Sequence, residues 1–243
     1  MAEVSLLIPC LNEAENLPKL LERVERVCLG ADLDVETLIL DDASEDDTLK
    51  VAQSLRAKHR SLNIRVVHRF EPRRGLGSLI RYGLAYSTGR YALLMTADGT
   101  HPIEDLPKYV AEARKGAQLV QCSRYERTAD GANIPGRFKD YSSVYRTGVR
   151  ALLDWDMRDP TCSFKLMDRT FLLAVGVRAN NLSLIPEIVF KTHLAGGKVV
   201  VVPGMQSFRK KGISQFYFLR EASSYAYVLI RAWLHKTGAL SWF

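Results

Sequence analysis

Residues 4–68 read VSLLIPCLNEAENLPKLLERVERVCLGADLDVETLILDDASEDDTLKVAQSLRAKHRSLNIRVVH, and the alternation inside this stretch decides the fold. Three apolar runs, VSLLIP, VETLIL and NIRVVH, are separated by stretches with helical spacing over about 14–28 and 45–58. Apolar run, helix, apolar run in this rhythm is the sequence form of a parallel βα repeat. The first helix rests on Leu17, Leu20, Leu21, Val24, Val27 and Cys28, which fall on one stripe while Glu and Arg fill the opposite face.

Toward the C-terminus the same grammar continues. A polar, basic loop, RFEPRRGLG, leads to a helix over about 78–87, the strand YALLMT, a helix over about 103–115 and the strand AQLVQCS. From Arg124 to Arg137 the chain turns polar and glycine-rich, which reads as a mobile surface loop. Helices over about 140–153 and 184–195 follow, with SFKLM and KVVVVP as further strands. The last helix, over about 215–236, is expected to place Leu219, Ala222, Ala226, Leu229, Ile230 and Trp233 on one face, with Arg220, Arg231, His235 and Lys236 elsewhere. Two readings of it stand side by side: a basic helix with aromatic anchors lying at a bilayer interface, or a terminal helix packed on the domain or on a partner.

Composition narrows the classes. The 243 residues are 47% hydrophobic and 25% charged, which describes a globular chain and excludes disorder and collagen-like repeats. A formal charge of +7 favours anionic partners. No RNA- or DNA-binding signature accompanies the dispersed bases, so nucleic acid is not an expected partner. Cys10, Cys28, Cys122 and Cys162 are scattered singly, without a CxxC motif, and read as buried thiols of a reducing, cytoplasmic compartment. The N-terminal run VSLLIPCL lacks a basic leader and is too short for a signal peptide, and no run is long enough to span a membrane.

In an open α/β sheet ligands bind outside the carboxyl ends of the strands. Those positions here are unusually acidic and polar: Pro9-Cys10-Leu11-Asn12-Glu13, then Asp41-Asp42-Ala43-Ser44-Glu45-Asp46-Asp47-Thr48, then Thr96-Ala97-Asp98-Gly99-Thr100-His101. GxGxxG and GxxxxGK[ST] are both absent, which removes the main support for a dinucleotide or P-loop site. Carboxylates suit a ligand rich in N–H and hydroxyl donors, such as a base and ribose, or a hard cation that holds a diphosphate. DDASEDD can equally serve as a helix N-terminus, with Ser44 as its cap.

The strings IPCLNEAENL, LILDDASEDDT, Gly75-Leu76-Gly77, MTADGTHP, CSRY, DPTCSFKLMDR and Arg209-Lys210-Lys211-Gly212-Ile213-Ser214 occur in order over about 4–214. Together they resemble inverting family 2 glycosyltransferases of the dolichol-phosphate mannose synthase type. The resemblance implies a three-layer α/β/α GT-A-like fold with a mainly parallel sheet, occupying residues 1–214. Its nucleotide-binding half would cover about 1–122 and its acceptor-side half about 123–214, with a C-terminal amphipathic helix over 215–243. The implied activity is metal-dependent transfer of a sugar, with inversion, from a nucleotide-diphosphate donor, GDP-mannose favoured, to a polyprenyl phosphate. The alternatives are a UDP-sugar donor, a hydroxyl acceptor or a non-catalytic nucleotide-sugar binder.

Residue by residue, the resemblance implies that Pro9, Leu11, Asn12 and Glu13 line the donor pocket, that Asp42 grips base or ribose, and that Asp41 supports it. Ala97 and Asp98 would face the donor, with Asp98 catalytic and holding Mg²⁺ or Mn²⁺. Arg124 and Arg209 would meet donor phosphates, and Arg137, Lys210 and Lys211 the acceptor phosphate. Two departures stand out: Thr96 where the family carries the first acid of Asp-x-Asp, and Gln215 where it carries a lysine. Asp159 and Glu187 match acidic positions of the family and can equally be structural pairs. His101 can be a polar residue at a helix start or a ligand. A lipid phosphate is largely ionised near neutral pH and needs no dedicated base, whereas a sugar hydroxyl does. The resemblance thus places the chain peripherally, on the cytoplasmic face of a membrane.

Overall fold

The structure, a computed structural model, describes the backbone of residues 2–70, 75–124, 136–204 and 218–243, and their side chains apart from 136–140 and 218–220. The chain runs β1 (Val4–Cys10), α1 (Leu17–Gly30), β2 (Val35–Asp41), α2 (Thr48–Lys58), β3 (Ile64–His68), α3 (Leu76–Tyr86), β4 (Tyr91–Leu94), α4 (Leu106–Arg114) and β5 (Leu119–Ser123). It continues with α5 (Gly136–Leu153), β6 (Lys165–Asp168), α6 (Arg169–Val175), α7 (Leu184–Leu194), β7 (Val199–Pro203) and α8 (Phe218–Lys236).

The seven strands of the described residues join one sheet in the order β3-β2-β1-β4-β6-β5-β7. β6 alone runs antiparallel to both its neighbours. Strand alternation sorts the core into two layers. Leu6 and Ile8 of β1 pack with Leu21 of α1, Ala52 of α2 and Tyr109 of α4, while Leu7 turns to the opposite face with Ile80 of α3, Val149 of α5 and Phe190 of α7. The expected three-layer α/β/α architecture is present, and all four cysteines are free and buried.

Differences from the sequence expectation have local causes. α1 and α2 begin later than the apolar spacing suggests, at Leu17 and Thr48. Before α2, the amide of Glu45 donates to Asn12 Oδ1 (2.8 Å), so that backbone is committed to the neighbouring loop. Ser44 does not cap α2: its hydroxyl donates to Asp41 and accepts from Asn12 N (2.9 Å). β4 stops at Leu94, because the Thr96 amide donates to His101 Nδ1 (3.1 Å) and leaves the ladder. α6 was not anticipated; it follows β6 without a loop and is capped by Asp168 Oδ1, which accepts from Phe171 N (2.9 Å).

The apolar stripe of the last helix is also redistributed. Val228, Leu229 and Ala232 face the domain, while Ala226 is exposed and Ile230 and Trp233 are 48% and 38% exposed. Tyr145 of α5 donates to the Tyr225 carbonyl (3.2 Å), and Lys236 donates to the Leu153 carbonyl (2.7 Å). The helix therefore packs on the domain and keeps a second apolar face outward. Among the described residues, no helix is long and apolar enough to cross a membrane.

Candidate active site

After β1 the chain goes to β2 and β3 on one side, and then to β4 on the other, so the strand order reverses between β1 and β4. A crevice opens at the carboxyl ends of strands at such a point. Leu11, Asn12 and Glu13 follow β1 on one wall, and Thr96, Ala97 and Asp98 follow β4 on the other. Asn12 adopts a left-handed conformation (φ 56°), the tight turn that lets its backbone amide and its side-chain Oδ1 bind the loop after β2. Glu13 is buried, and its Oε2 accepts from Asn16 Nδ2 (2.5 Å) while its amide donates to Thr48 Oγ1 (2.8 Å). Pro9 is the penultimate residue of β1 and lies in register with Leu40.

The two acids after β2 are not bare. Asp41 is fully buried; its Oδ1 accepts from Ser44, and its Oδ2 lies 2.5 Å from His68 Nδ1. Asp42 receives two donors of Arg69 on Oδ1, one from Nε at 2.7 Å. Arg69 Nη1 donates in turn to Ser78 Oγ (2.8 Å) at the start of α3. His68 and Arg69 end β3 and were missed by the sequence reading, which followed the acidic strand ends only. Their signal was positional, a histidine as the last residue of a parallel strand and an arginine directly after it.

Asp98 is the acid at the reversal point. Its Oδ1 accepts from Thr96 Oγ1 (2.6 Å), Thr100 N (3.1 Å) and Thr100 Oγ1 (2.8 Å). Burial pushes this carboxyl up, but the hydrogen bonds from Thr96 and Thr100 outweigh it and hold the group below its ordinary range, hence ionised. The turn is braced from α1, where Arg23 donates to the Gly99 carbonyl (2.8 Å) and pairs with Glu104. Gly99 has φ +70°, a conformation that favours glycine.

His101 is buried to 2% exposure. Because the Thr96 amide can only donate, His101 Nδ1 is the acceptor and the ring proton sits on Nε2, 3.2 Å from Ser163 Oγ. Burial lowers its pKa to about 4, which keeps the ring neutral. Of the two sequence readings, the geometry matches the structural one, a polar residue bracing the turn before a helix.

Arg124 follows β5 and grips Asp159, with Nε on Oδ2 (2.8 Å) and Nη2 on Oδ1 (2.7 Å). The Arg124 amide donates to the same carboxylate (3.0 Å). Behind Asp159, the wholly buried Lys165 of β6 donates to Gln121 Oε1 (2.6 Å), and Gln121 Nε2 donates to the Asp159 carbonyl (2.9 Å). Burial lowers the Lys165 pKa to about 8. Lys165 and Gln121 are further residues the sequence reading passed over, although a lysine inside the apolar run SFKLM was the available signal. Glu187 resolves as structural: it accepts from the amides of Arg178 (3.0 Å) and Ala179 (2.7 Å). The turn it holds is the one that Gly75 and Gly77 press against, where an added Cβ would lie 2.2 Å from Asn180 O and 2.3 Å from Ala179 O. Arg209, Lys210 and Lys211 and the side chain of Arg137 lie outside the described residues.

Among the described residues, no three His, Cys, Asp or Glu side chains form a ready-made metal cage. Asp98, with hydroxyl neighbours, is an oxygen-donor site that suits a hard divalent cation once phosphate oxygens and waters complete the coordination.

The glycosyl transferase family 2 model matches residues 5–176. The dolichol-phosphate mannosyltransferase of Pyrococcus furiosus is 30% identical over 217 residues, covering 88% of this chain and 59% of that protein. The chain thus spans well under two thirds of that relative's length. The polyprenol monophosphomannose synthase of Mycolicibacterium smegmatis is 30% identical over 86% of this chain and 79% of its own length. Among solved structures, glucosyl-3-phosphoglycerate synthase from Mycobacterium tuberculosis, in complex with Mn²⁺ and UDP-glucose, superposes with a TM-score of 0.70. It covers 98% of this chain and 79% of its own at 21% identity, a likeness of fold.

Proposed function

The chain belongs to glycosyl transferase family 2, and from that premise we propose that it transfers a sugar from a nucleotide-diphosphate donor to a polyprenyl phosphate. The observation that carries the reading is the ionised Asp98, held at the point where strand order reverses. Asp42, with one oxygen engaged by Arg69, would take base or ribose donors beside Asp41. Leu11, Asn12, Glu13 and Ala97 would line the channel from base to diphosphate. GDP-mannose is the favoured donor, on the likeness to the two mannosyl-transferring relatives.

Asp98 would hold Mg²⁺ or Mn²⁺, and when bound the cation neutralises charge developing on the leaving diphosphate. The protein's own groups orient the rest. Asp159 and Thr161 hold the Arg124 guanidinium in place, so a donor phosphate that reached it would meet a preset group. Arg209 would assist on the donor phosphates, and Arg137, Lys210 and Lys211 would take the acceptor phosphate. An ionised lipid phosphate is already a nucleophile, so in-line attack with inversion requires no general base. This division makes residues up to about 122 the donor half and 123–214 the acceptor half, with the outward face of α8 turned to the membrane that carries the lipid.

The test is product formation from GDP- and UDP-sugars with a polyprenyl phosphate in the presence of Mg²⁺, Mn²⁺ or EDTA. One glycolipid formed only with metal is expected, and Asp98→Asn should lower its rate by about a hundredfold or more with an unchanged melting temperature. Full activity in Asp98→Asn, or transfer to a sugar hydroxyl alone, would overturn the assignment.

A further inference from the structure

Thr96 occupies the position from which a second carboxylate would face Asp98. Its hydroxyl donates to Asp98 Oδ1 (2.6 Å), on the same oxygen that also accepts from Thr100 N and Thr100 Oγ1. Three donors on one carboxylate oxygen use its lone pairs, so a cation at this acid gains at most the other oxygen. Thr96 is itself held in place, because its amide donates to the neutral His101 ring, and that ring is anchored on Ser163.

Among the described residues, the acids of the neighbouring loops have other partners, Glu13 with Asn16 among them. Asp41 is engaged by Ser44 and His68, Asp42 by Arg69, Asp159 by Arg124 and Glu104 by Arg23. Mg²⁺ and Mn²⁺ fill their coordination with several oxygens, and a single monodentate carboxylate is a weak resident site for either. A diphosphate brings two further anionic oxygens.

We propose that Thr96 makes cation binding conditional on the nucleoside diphosphate: the ion enters and leaves with the nucleotide and is not a resident of the free protein. Thr96 acts as a positioning residue, orienting Asp98 and withholding the second carboxylate that would retain the ion. The inference rests on the donor reading above and adds to it an order of assembly.

The experiment is Mn²⁺ titration followed by electron paramagnetic resonance, which needs no turnover. Wild-type protein alone should leave the free Mn²⁺ signal nearly unchanged. With GDP or UDP the signal should fall by more than the nucleotide alone accounts for. Thr96→Asp should bind Mn²⁺ without nucleotide about tenfold or more tightly than wild type, the scale on which changes around a metal site alter affinity. Adding Asp98→Asn to that variant should abolish the gain. Tight Mn²⁺ binding by wild type alone overturns the proposal, and this arm decides it even if Thr96→Asp does not fold. An unchanged affinity in folded Thr96→Asp overturns the role of Thr96. If neither GDP nor UDP binds, the donor reading falls, while the gain in Thr96→Asp still decides what Thr96 does.

Discussion

His101 lies three residues past Asp98, and its sequence context left open whether it is a ligand or a brace. Its two nitrogens are consumed by Thr96 N and Ser163 Oγ, and its ring packs 5.2 Å from that of Phe164. Charging this ring would put a proton on Nδ1 against an amide that can only donate. Burial accordingly lowers its pKa to about 4. In the unfolded chain the same histidine titrates near 6.5, so between the two values the unfolded state binds more protons than the folded one. The contribution to stability is complete above about 6.5 and is lost as pH falls through 4, a limb of about 3 kcal/mol. Urea unfolding at pH 7, 5.5 and 4.5 should show this limb in wild type and a shallower one in His101→Asn. Parallel pH profiles for the two proteins would show that the ring carries a charge in the fold. The pairings of Asp41 with His68 and Asp42 with Arg69 belong to the same scale. Each spans 27 residues of sequence, so the acids could be read from their strand ends, while their pairing with the bases at the end of β3 could not.

β6 shows what periodicity can and cannot reveal about an element. SFKLM reads as a strand from its apolar residues, but a strand alternates in the same way whichever direction it runs. Its antiparallel pairing with β4 and β5 is a long-range feature that the run itself does not encode. α6 was illegible because RTFLLAV follows the strand directly and is too short for its period to separate from it. The long elements were legible for the opposite reason: α1 carries a full stripe, and five of the six residues the spacing selected, Leu17, Leu20, Leu21, Val24 and Cys28, are buried, with Val27 partly buried against the same core. Within β6, Lys165 is the residue with a measurable signature. Its Nζ is buried against Gln121, and its pKa is lowered to about 8 from an ordinary 10.5. Between these values the unfolded chain again holds the extra proton, so stability rises with pH across the window. The stability of wild type relative to Lys165→Met should therefore increase by up to about 3 kcal/mol between pH 7.5 and 10.5. Chemical denaturation of both proteins across that range reads it directly, and a constant difference would mean that the ammonium stays charged in the core.

For the whole molecule, the sheet and its two helical layers bring the strand ends to one edge, while α8 closes the layer formed by α5 and α7. Because α8 is apolar on two sides, a single stripe drawn from its sequence mixes residues of both. The inward side is Val228, Leu229 and Ala232, and the outward side carries Tyr227, Ile230 and Trp233 at 58%, 48% and 38% exposure. Leu240 and Phe243, which follow the helix, are also exposed, at 38% and 46%. A basic group borders it: Arg231 lies over the Tyr227 ring at 5.7 Å. Aromatic and aliphatic side chains flanked by bases are the composition of a helix lying in the headgroup region of an anionic bilayer. The net charge of +7 adds long-range attraction to the same surface. Each half-exposed apolar side chain that enters the interface contributes on the order of 1 kcal/mol. Replacing Tyr227, Ile230 and Trp233 together by serine should consequently lower partitioning to vesicles containing phosphatidylserine by about tenfold or more. Nucleotide binding and the melting temperature should be retained, because the inward face is untouched. Co-sedimentation with vesicles at low and high salt measures both contributions, since the electrostatic part weakens with salt and the apolar part does not. A wild-type protein that stays in solution with anionic vesicles would remove the membrane from the account of α8. Equal partitioning of the two proteins would place the contact on another surface, and a change of oligomeric state in the variant would assign the patch to a second copy of the chain.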